Sequence, residues 1–192
     1  MEQTLEKEIK ELVEKLVKEK MEKFGEDIAN FEKVSFEQFY KDCKDLVYNE
    51  EEAKKIYDKI QLPTASTLGS SGFDFVTPFE IALKPKNTVL IPTGIRCKMD
   101  KNWALLLLPR SGHGTKYRVQ LNNTIGLIDE DYYFADNEGH IMAKITNDTN
   151  ENKNFCLDDG NKFIQGMFVY TGKAKDAILN KERKGGFGST GN

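Results

Sequence analysis

Three short segments of this 192-residue chain group side chains that suit phosphate chemistry. Pro109-Arg110-Ser111-Gly112 ends an apolar run with a guanidinium, a hydroxyl and a glycine N–H in succession, a compact turn able to hold an oxyanion. The same grouping also makes ordinary turns, so alone it decides little. In Asn122-Asn123-Thr124-Ile125-Gly126-Leu127-Ile128-Asp129-Glu130-Asp131-Tyr132 an apolar pair runs into three acids and a tyrosine. A carboxylate at Asp129, beside apolar neighbours, could orient a water or take its proton. In a plain hairpin the same acids would only face solvent. Gly185-Gly186-Phe187-Gly188-Ser189-Thr190-Gly191 frees the backbone to wrap an anion, adds hydroxyl donors and offers an aromatic face for a base. The alternative is a glycine-rich tail. It is not a Walker loop, because no Gly-Lys-Ser/Thr follows and no strand–loop–helix context surrounds it. Two further polar clusters, Ser70-Ser71-Gly72-Phe73-Asp74 and Gly160-Asn161-Lys162-Phe163-Ile164-Gln165, interrupt the apolar pattern.

Taken in chain order, these five clusters resemble the five motifs of the homotrimeric all-β dUTPase family. Ser71-Gly72-Phe73-Asp74-Phe75 is similar to the first motif, and Pro109-Arg110-Ser111-Gly112 matches the second directly. Gly126-Leu127-Ile128-Asp129-Glu130-Asp131-Tyr132, with Asn123 upstream, resembles the third. The fourth and fifth look-alikes are Gly160 to Gln165 and Gly185 to Gly191. The likeness covers residues 61–192; five motifs in order make accident improbable.

The resemblance implies a jelly-roll or β-clip core that forms a homotrimer with active sites shared between subunits. It implies hydrolysis of dUTP to dUMP and pyrophosphate, which limits uracil in DNA and supplies dUMP for dTMP synthesis. By analogy, Asp129 orients the water that attacks the α-phosphorus. Asn123 and the hairpin backbone at Gly126, Leu127 and Ile128 read the uracil edge, and Tyr132 packs under the deoxyribose. Arg110, Ser111, Gly112 and Gln165 hold phosphate oxygens, and Met142 contributes main chain. The C-terminal arm closes over the nucleotide: Phe187 stacks on uracil, Gly188, Ser189 and Thr190 grip phosphates, and Arg183 or Lys184 reaches the γ-phosphate. The cofactor implied is Mg²⁺, held mainly by substrate phosphates and waters, with Asp74 either structural or a water-mediated contact. This agrees with the physics, since phosphoanhydride hydrolysis asks for charge neutralisation and positioning rather than a covalent nucleophile, and Mg²⁺ on a nucleotide needs few protein ligands.

The elements that must position these residues fall into two compositional parts. Residues 1–60 hold 12 Lys, no Arg, 17 Asp or Glu, no Pro and one Gly; residues 61–192 hold all five Pro and 14 Gly. The first part reads as helix. Leu5, Ile9, Leu12, Leu16, Val17, Met21, Phe24, Ile28 and Phe31 follow one helical stripe. Ser35 and Gln38 resemble a capping box opening a second helix, whose buried face runs from Phe36, Phe39, Tyr40 and Cys43 to Ile56, Tyr57 and Ile60. The expectation is therefore an N-terminal helical hairpin over 1–60 that packs, docks or oligomerises. A mainly β domain follows over 61–180, with many short strands punctuated by turns, and an arm over 181–192.

Composition excludes other classes. A net charge of −3 gives no sign of nucleic-acid binding, and no apolar run approaches a membrane span. Cys43, Cys97 and Cys156 lie far apart with only two histidines, which argues against a disulfide scaffold or a zinc site; the three thiols are expected to be packed. A charged N-terminus without a secretory signal points to the cytoplasm. His113 and His140 are read as surface residues.

The chain departs from the family pattern after Tyr132. Where x-Gly-Glu is usual it runs Tyr133-Phe134-Ala135-Asp136-Asn137-Glu138-Gly139-His140, an insertion of about four residues expected to lengthen the hairpin. Arg183 stands one residue closer to Gly185 than is usual, and Asn161 replaces a usual acid. A rival of the same fold is a dCTP deaminase, which needs a general acid/base at cytosine C4; Asp129 and the Phe187 arm favour dUTPase. A rival of another class is a phage-type regulator that binds proteins, with the N-terminal helices as its partner surface.

Overall fold

In the computed structural model residues 2–23, 27–172 and 174 are described. The chain opens with α1 (Glu2–Lys23), β1 (Ala29–Lys33), α2 (Phe36–Cys43) and α3 (Glu50–Lys59). β2 (Thr64–Ala65), β3 (Gly72–Val76), β4 (Ile81–Leu83), β5 (Thr88–Pro92), β6 (Ile95–Met99) and β7 (Trp103–Pro109) follow. After α4 (Ser111–Tyr117) come β8 (Val119–Leu121), β9 (Gly126–Asp129) and a 3₁₀ turn (Glu130–Phe134). The chain closes with β10 (Met142–Asn147), β11 (Phe155–Leu157) and β12 (Lys162–Tyr170).

Every strand pair is antiparallel. One sheet has the order β2-β3-β12-β7-β9, a second β5-β10-β8, and two pairs, β1-β6 and β11-β4, complete the set. Alternating strands send Phe75, Leu105, Leu107, Ile91, Ile145 and Phe163 into one core, each at most 2% exposed. The mainly β core with an N-terminal helix is as the sequence suggests.

The N-terminal part differs in detail. The helical stripe drawn through Ile28 and Phe31 does not persist: Phe31 lies in β1, which pairs with β6 and sets Phe31 opposite Cys97. Two apolar residues at the end of a stripe do not settle helix against strand, and a distant partner decides between them. The Phe31 ring sits 5.6 Å from Phe73, 5.6 Å from Phe75 and 5.7 Å from Phe168, so β1 is wedged into the main sheet. The second helix is two helices. Asn49 caps α3, its side chain accepting from the Glu52 N–H at 2.9 Å. Phe39, Cys43, Ala53 and Ile60 belong to the same core as Phe75, Leu105 and Phe163, so the packing runs straight across residue 60. On α1, Ile9, Leu12, Val13, Leu16 and Val17 are at least half exposed. Among the described residues no helix is long and apolar enough to cross a membrane.

The structure corrects two readings of single residues. His140 is fully buried, not at the surface, and His113 is half-buried against the Phe155 ring, 5.0 Å between centroids. Cys43 and Cys97 are packed, but Cys156 is exposed.

Candidate active site

Three of the polar clusters meet at one end of the five-stranded sheet. β12 lies between β3 and β7, and its register sets Gln165 opposite both Asp74 on β3 and Leu108 on β7. Arg110 and Ser111 follow directly on β7, at the start of α4. The result is a polar cleft of about 260 Å³ lined by Ser70, Ser71, Gly72, Arg110, Ser111 and Gln165, with Ser66 and Asp74 at its base. Gly72 leaves room for Gln165: a Cβ there would stand 2.9 Å from the Gln165 Oε1. Hydroxyls, an amide and a guanidinium are donors for phosphate oxygens rather than metal ligands.

Asp74 holds this cleft in shape. One of its carboxylate oxygens accepts from Arg110 Nε at 3.1 Å; the other accepts from Ser66 Oγ and Lys162 Nζ, both at 2.8 Å. Burial pushes the Asp74 carboxyl up, but the bonds from Lys162 and Ser66 and the Arg110 charge more than offset it and hold the carboxyl below its usual range. Both oxygens are thus committed to two cations and a hydroxyl. Sequence reasoning missed Lys162 and Ser66 as its partners. Lys162 was in view inside the fourth cluster, whereas Ser66 carries no local signal.

The third cluster lies at the opposite edge of the same sheet. β9 pairs with β7 so that Gly126 faces Leu107 and Asp129 faces Ala104. Along β9, Gly126 and Ile128 are buried, Leu127 is exposed and Asp129 is half-buried at the end of the strand. Asn123 is exposed in the turn before it. Arg110 stands six residues along β7 from the partner of Asp129, about 20 Å away in an extended strand. One chain thus brings Asp74, Arg110, Ser111 and Gln165 together, with Gly112 next in line, and holds Asp129 apart from them. Met142 opens β10 in the other sheet, opposite Pro92. Arg183, Lys184, Phe187, Gly188, Ser189 and Thr190 lie outside the described residues.

Beyond Asp129 the chain turns through Glu130–Phe134, and Tyr132 is only 3% exposed. Its hydroxyl donates to the His140 carbonyl at 2.8 Å and accepts from Asn137 Nδ2 at 2.9 Å. The inserted residues 133–140 do not project as a longer hairpin; they fold back onto β1 and α2.

Four carboxylates, three that tie this region together and Asp74 in the cleft, share one property. Tyr133 and Arg96 hold Glu32 below its usual range; at Asp42, Asp74 and Glu138 burial pushes upward but hydrogen bonds prevail. Depressed folded-state values give stability that is complete above the ordinary values of 3.8 and 4.5 and is lost as pH falls through the depressed ones. Burial also holds the His113 imidazole below its ordinary value of 6.5, so the unfolded chain takes up that proton first and stability falls below about pH 6.5. The expected outcome is a urea midpoint that declines gently below about pH 6.5 and steeply below about pH 4. A midpoint that stays flat to below pH 4 would contradict it.

Comparison with known proteins agrees with this geometry. The dUTPase family model matches residues 58–191. A deoxyuridine 5'-triphosphate nucleotidohydrolase of Lactococcus lactis subsp. lactis (strain IL1403) is 35% identical over 135 residues, covering 69% of this chain and 89% of its own. One from Actinobacillus pleuropneumoniae serotype 5b (strain L20) is 37% identical, covering 71% and 91%. The crystal structure of a dUTPase from Streptococcus mutans is 27% identical and superposes with a TM-score of 0.57, over 76% of this chain and 98% of that one. With a family match over most of its length, and the cleft and edge strand built from those same residues, the chain belongs to the dUTPase family.

Proposed function

We propose that this protein hydrolyses dUTP to dUMP and pyrophosphate, in a site completed by neighbouring subunits of a homotrimer. The observation that carries the reading is the division of labour across one sheet. Arg110, Ser111 and Gln165 converge in a phosphate-sized cleft, while Asp129 is presented about 20 Å away on an exposed edge strand. A second copy supplying β9 would bring a water-orienting carboxylate to the phosphates that the first copy holds.

In this arrangement Arg110, Ser111, Gly112 and Gln165 take phosphate oxygens, and the guanidinium is preorganised by its bond to Asp74. Asp129 orients the attacking water and accepts its proton. Asn123 and the β9 backbone from Gly126 to Ile128 read the uracil edge, where a mismatched base leaves buried groups unpaired at about 1–3 kcal/mol each. Tyr132, held by its hydroxyl's bonds to His140 and Asn137, forms a fixed wall beneath the sugar. Met142 lends main chain, and Arg183, Phe187, Gly188, Ser189 and Thr190 belong to an arm that closes over the nucleotide. The donor set of the cleft suits phosphates; Mg²⁺ would be held by the triphosphate and waters and would supply charge neutralisation there.

Pyrophosphate release with Mg²⁺ from dUTP, dCTP, dTTP and UTP in parallel tests the reading. Fast turnover of dUTP alone is the expected result. Ammonia from dCTP would assign the chain to the deaminase branch instead, and silence on all four would overturn the hydrolase reading.

A further inference from the structure

Residues 133–140 are where this chain departs most from the motif pattern, and the structure joins them to the segment that precedes the family match. The Asp42 carboxylate accepts from His140 Nδ1 at 2.6 Å and from Gln38 Nε2 at 2.7 Å. His140 Nε2 accepts from the Gly94 N–H at 2.8 Å, which leaves the imidazole proton on Nδ1. The His140 carbonyl then takes the Tyr132 hydroxyl at 2.8 Å and Asn137 Nδ2 at 3.3 Å. His140 is 0% and Tyr132 3% exposed, so this relay from α2 to the sugar wall is shielded from competing water.

Two parallel ties reinforce it. Ser35 opens α2 with its hydroxyl accepting from the Gln38 N–H at 3.1 Å, as a capping residue should. The reciprocal bond to the Ser35 N–H comes not from Gln38 but from Glu138, at 2.7 Å, with Glu138 also accepting from the Ser35 hydroxyl at 2.6 Å. Tyr133 donates to Glu32 at 2.8 Å, and the Arg96 guanidinium lies 4.4 Å from the Tyr133 ring centre. Between these ties Gly139, at φ +70°, winds so closely on the turn that a Cβ would stand 2.7 Å from the Tyr132 carbonyl oxygen and from the Tyr133 Cα. Only glycine fits between these ties, so the turn packs directly on the backbone of Tyr132 and Tyr133.

We infer that the segment from Glu32 to Asp42 is a brace for the sugar wall, and that Asp42, acting through His140, is a positioning residue for the rejection of ribose. The inference rests on the role proposed for Tyr132. Rejection of one extra hydroxyl is steric, and it works only if the wall does not yield. A steric wall of this kind discriminates by about a hundredfold, so a loosened one loses about tenfold in the ratio of kcat/KM for dUTP over UTP.

The test uses the full chain as wild type, Asp42→Ala and Asp42→Asn, with kinetics on dUTP and UTP and hydrogen exchange over residues 130–141. Asn keeps an acceptor for His140 Nδ1–H, and Ala removes it. The expected result is a tenfold lower ratio and faster exchange in Asp42→Ala, both largely restored in Asp42→Asn. Equal losses on both substrates, with the ratio unchanged, would mean a merely structural role and overturn the inference. Should Asp42→Ala not fold, Glu138→Ala cuts the half-buried tie to Ser35 without touching the core, and an unchanged ratio there overturns it equally. If the wild type fails to hydrolyse dUTP, the parent reading falls; unchanged exchange over 130–141 in the variants would then overturn the brace separately.

Discussion

Asp129→Asn is expected to reduce kcat on dUTP by about a thousandfold or more, the range associated with loss of a positioned general base. KM is expected to change little, because the residues that hold the phosphates are left unchanged. The substitution is isosteric at a half-buried strand end, so the thermal midpoint should stay within about 2 °C. Steady-state pyrophosphate release beside a thermal melt reads both. Turnover above about a tenth of the wild-type rate would remove Asp129 from the role of water-orienting carboxylate.

The second large effect is a gain. In the proposed homotrimer Arg110→Ala and Asp129→Asn are each expected to abolish activity, one through the phosphate cleft and the other through the water. If each site draws Arg110 from one subunit and Asp129 from another, mixed trimers contain sites with both residues intact. Random assembly at equal amounts makes these about a quarter of all sites. Co-expressed variants are therefore expected to recover about a quarter of wild-type activity, where either variant alone shows almost none. A site contained in one chain would give no recovery, because every subunit carries one lesion. The roughly 20 Å between Arg110 and Asp129 in one chain is the reason to expect recovery.

What was legible in the sequence was local. Ser71 to Asp74, Pro109 to Gly112, Gly126 to Tyr132 and Gly160 to Gln165 are short runs whose chemistry shows in adjacent residues, the short strands between turns are there, and α2 starts at the Ser35 cap that the sequence suggests. What stayed hidden was decided by partners far along the chain. Phe31 fitted a helical stripe until β6 supplied a strand to pair with. His140 looked like a surface residue because Asp42 and Gly94, which satisfy its two nitrogens, are 98 and 46 residues away. Half of the capping box at Ser35 was readable; the other half comes from Glu138, 103 residues on. α4 was read as a turn because Gly112 and Gly114 are poor helix formers, yet the Gly114 N–H bonds the Arg110 carbonyl at 2.9 Å and Arg118 closes the helix in a left-handed conformation.

The wedge of Phe31 among Phe73, Phe75 and Phe168 bears on how the protein comes into being. Phe31 leaves the ribosome early, but its last ring partner is synthesised 137 residues later, roughly ten to thirty seconds at bacterial elongation rates. β1 can pair with β6 once the chain has reached Met99, but its full set of ring contacts closes only when β12 is made. A chain of such distant pairings has high contact order and folds in milliseconds to seconds rather than microseconds. The first of the strands is thus fitted in two stages, its backbone against β6 and its last ring contact against β12.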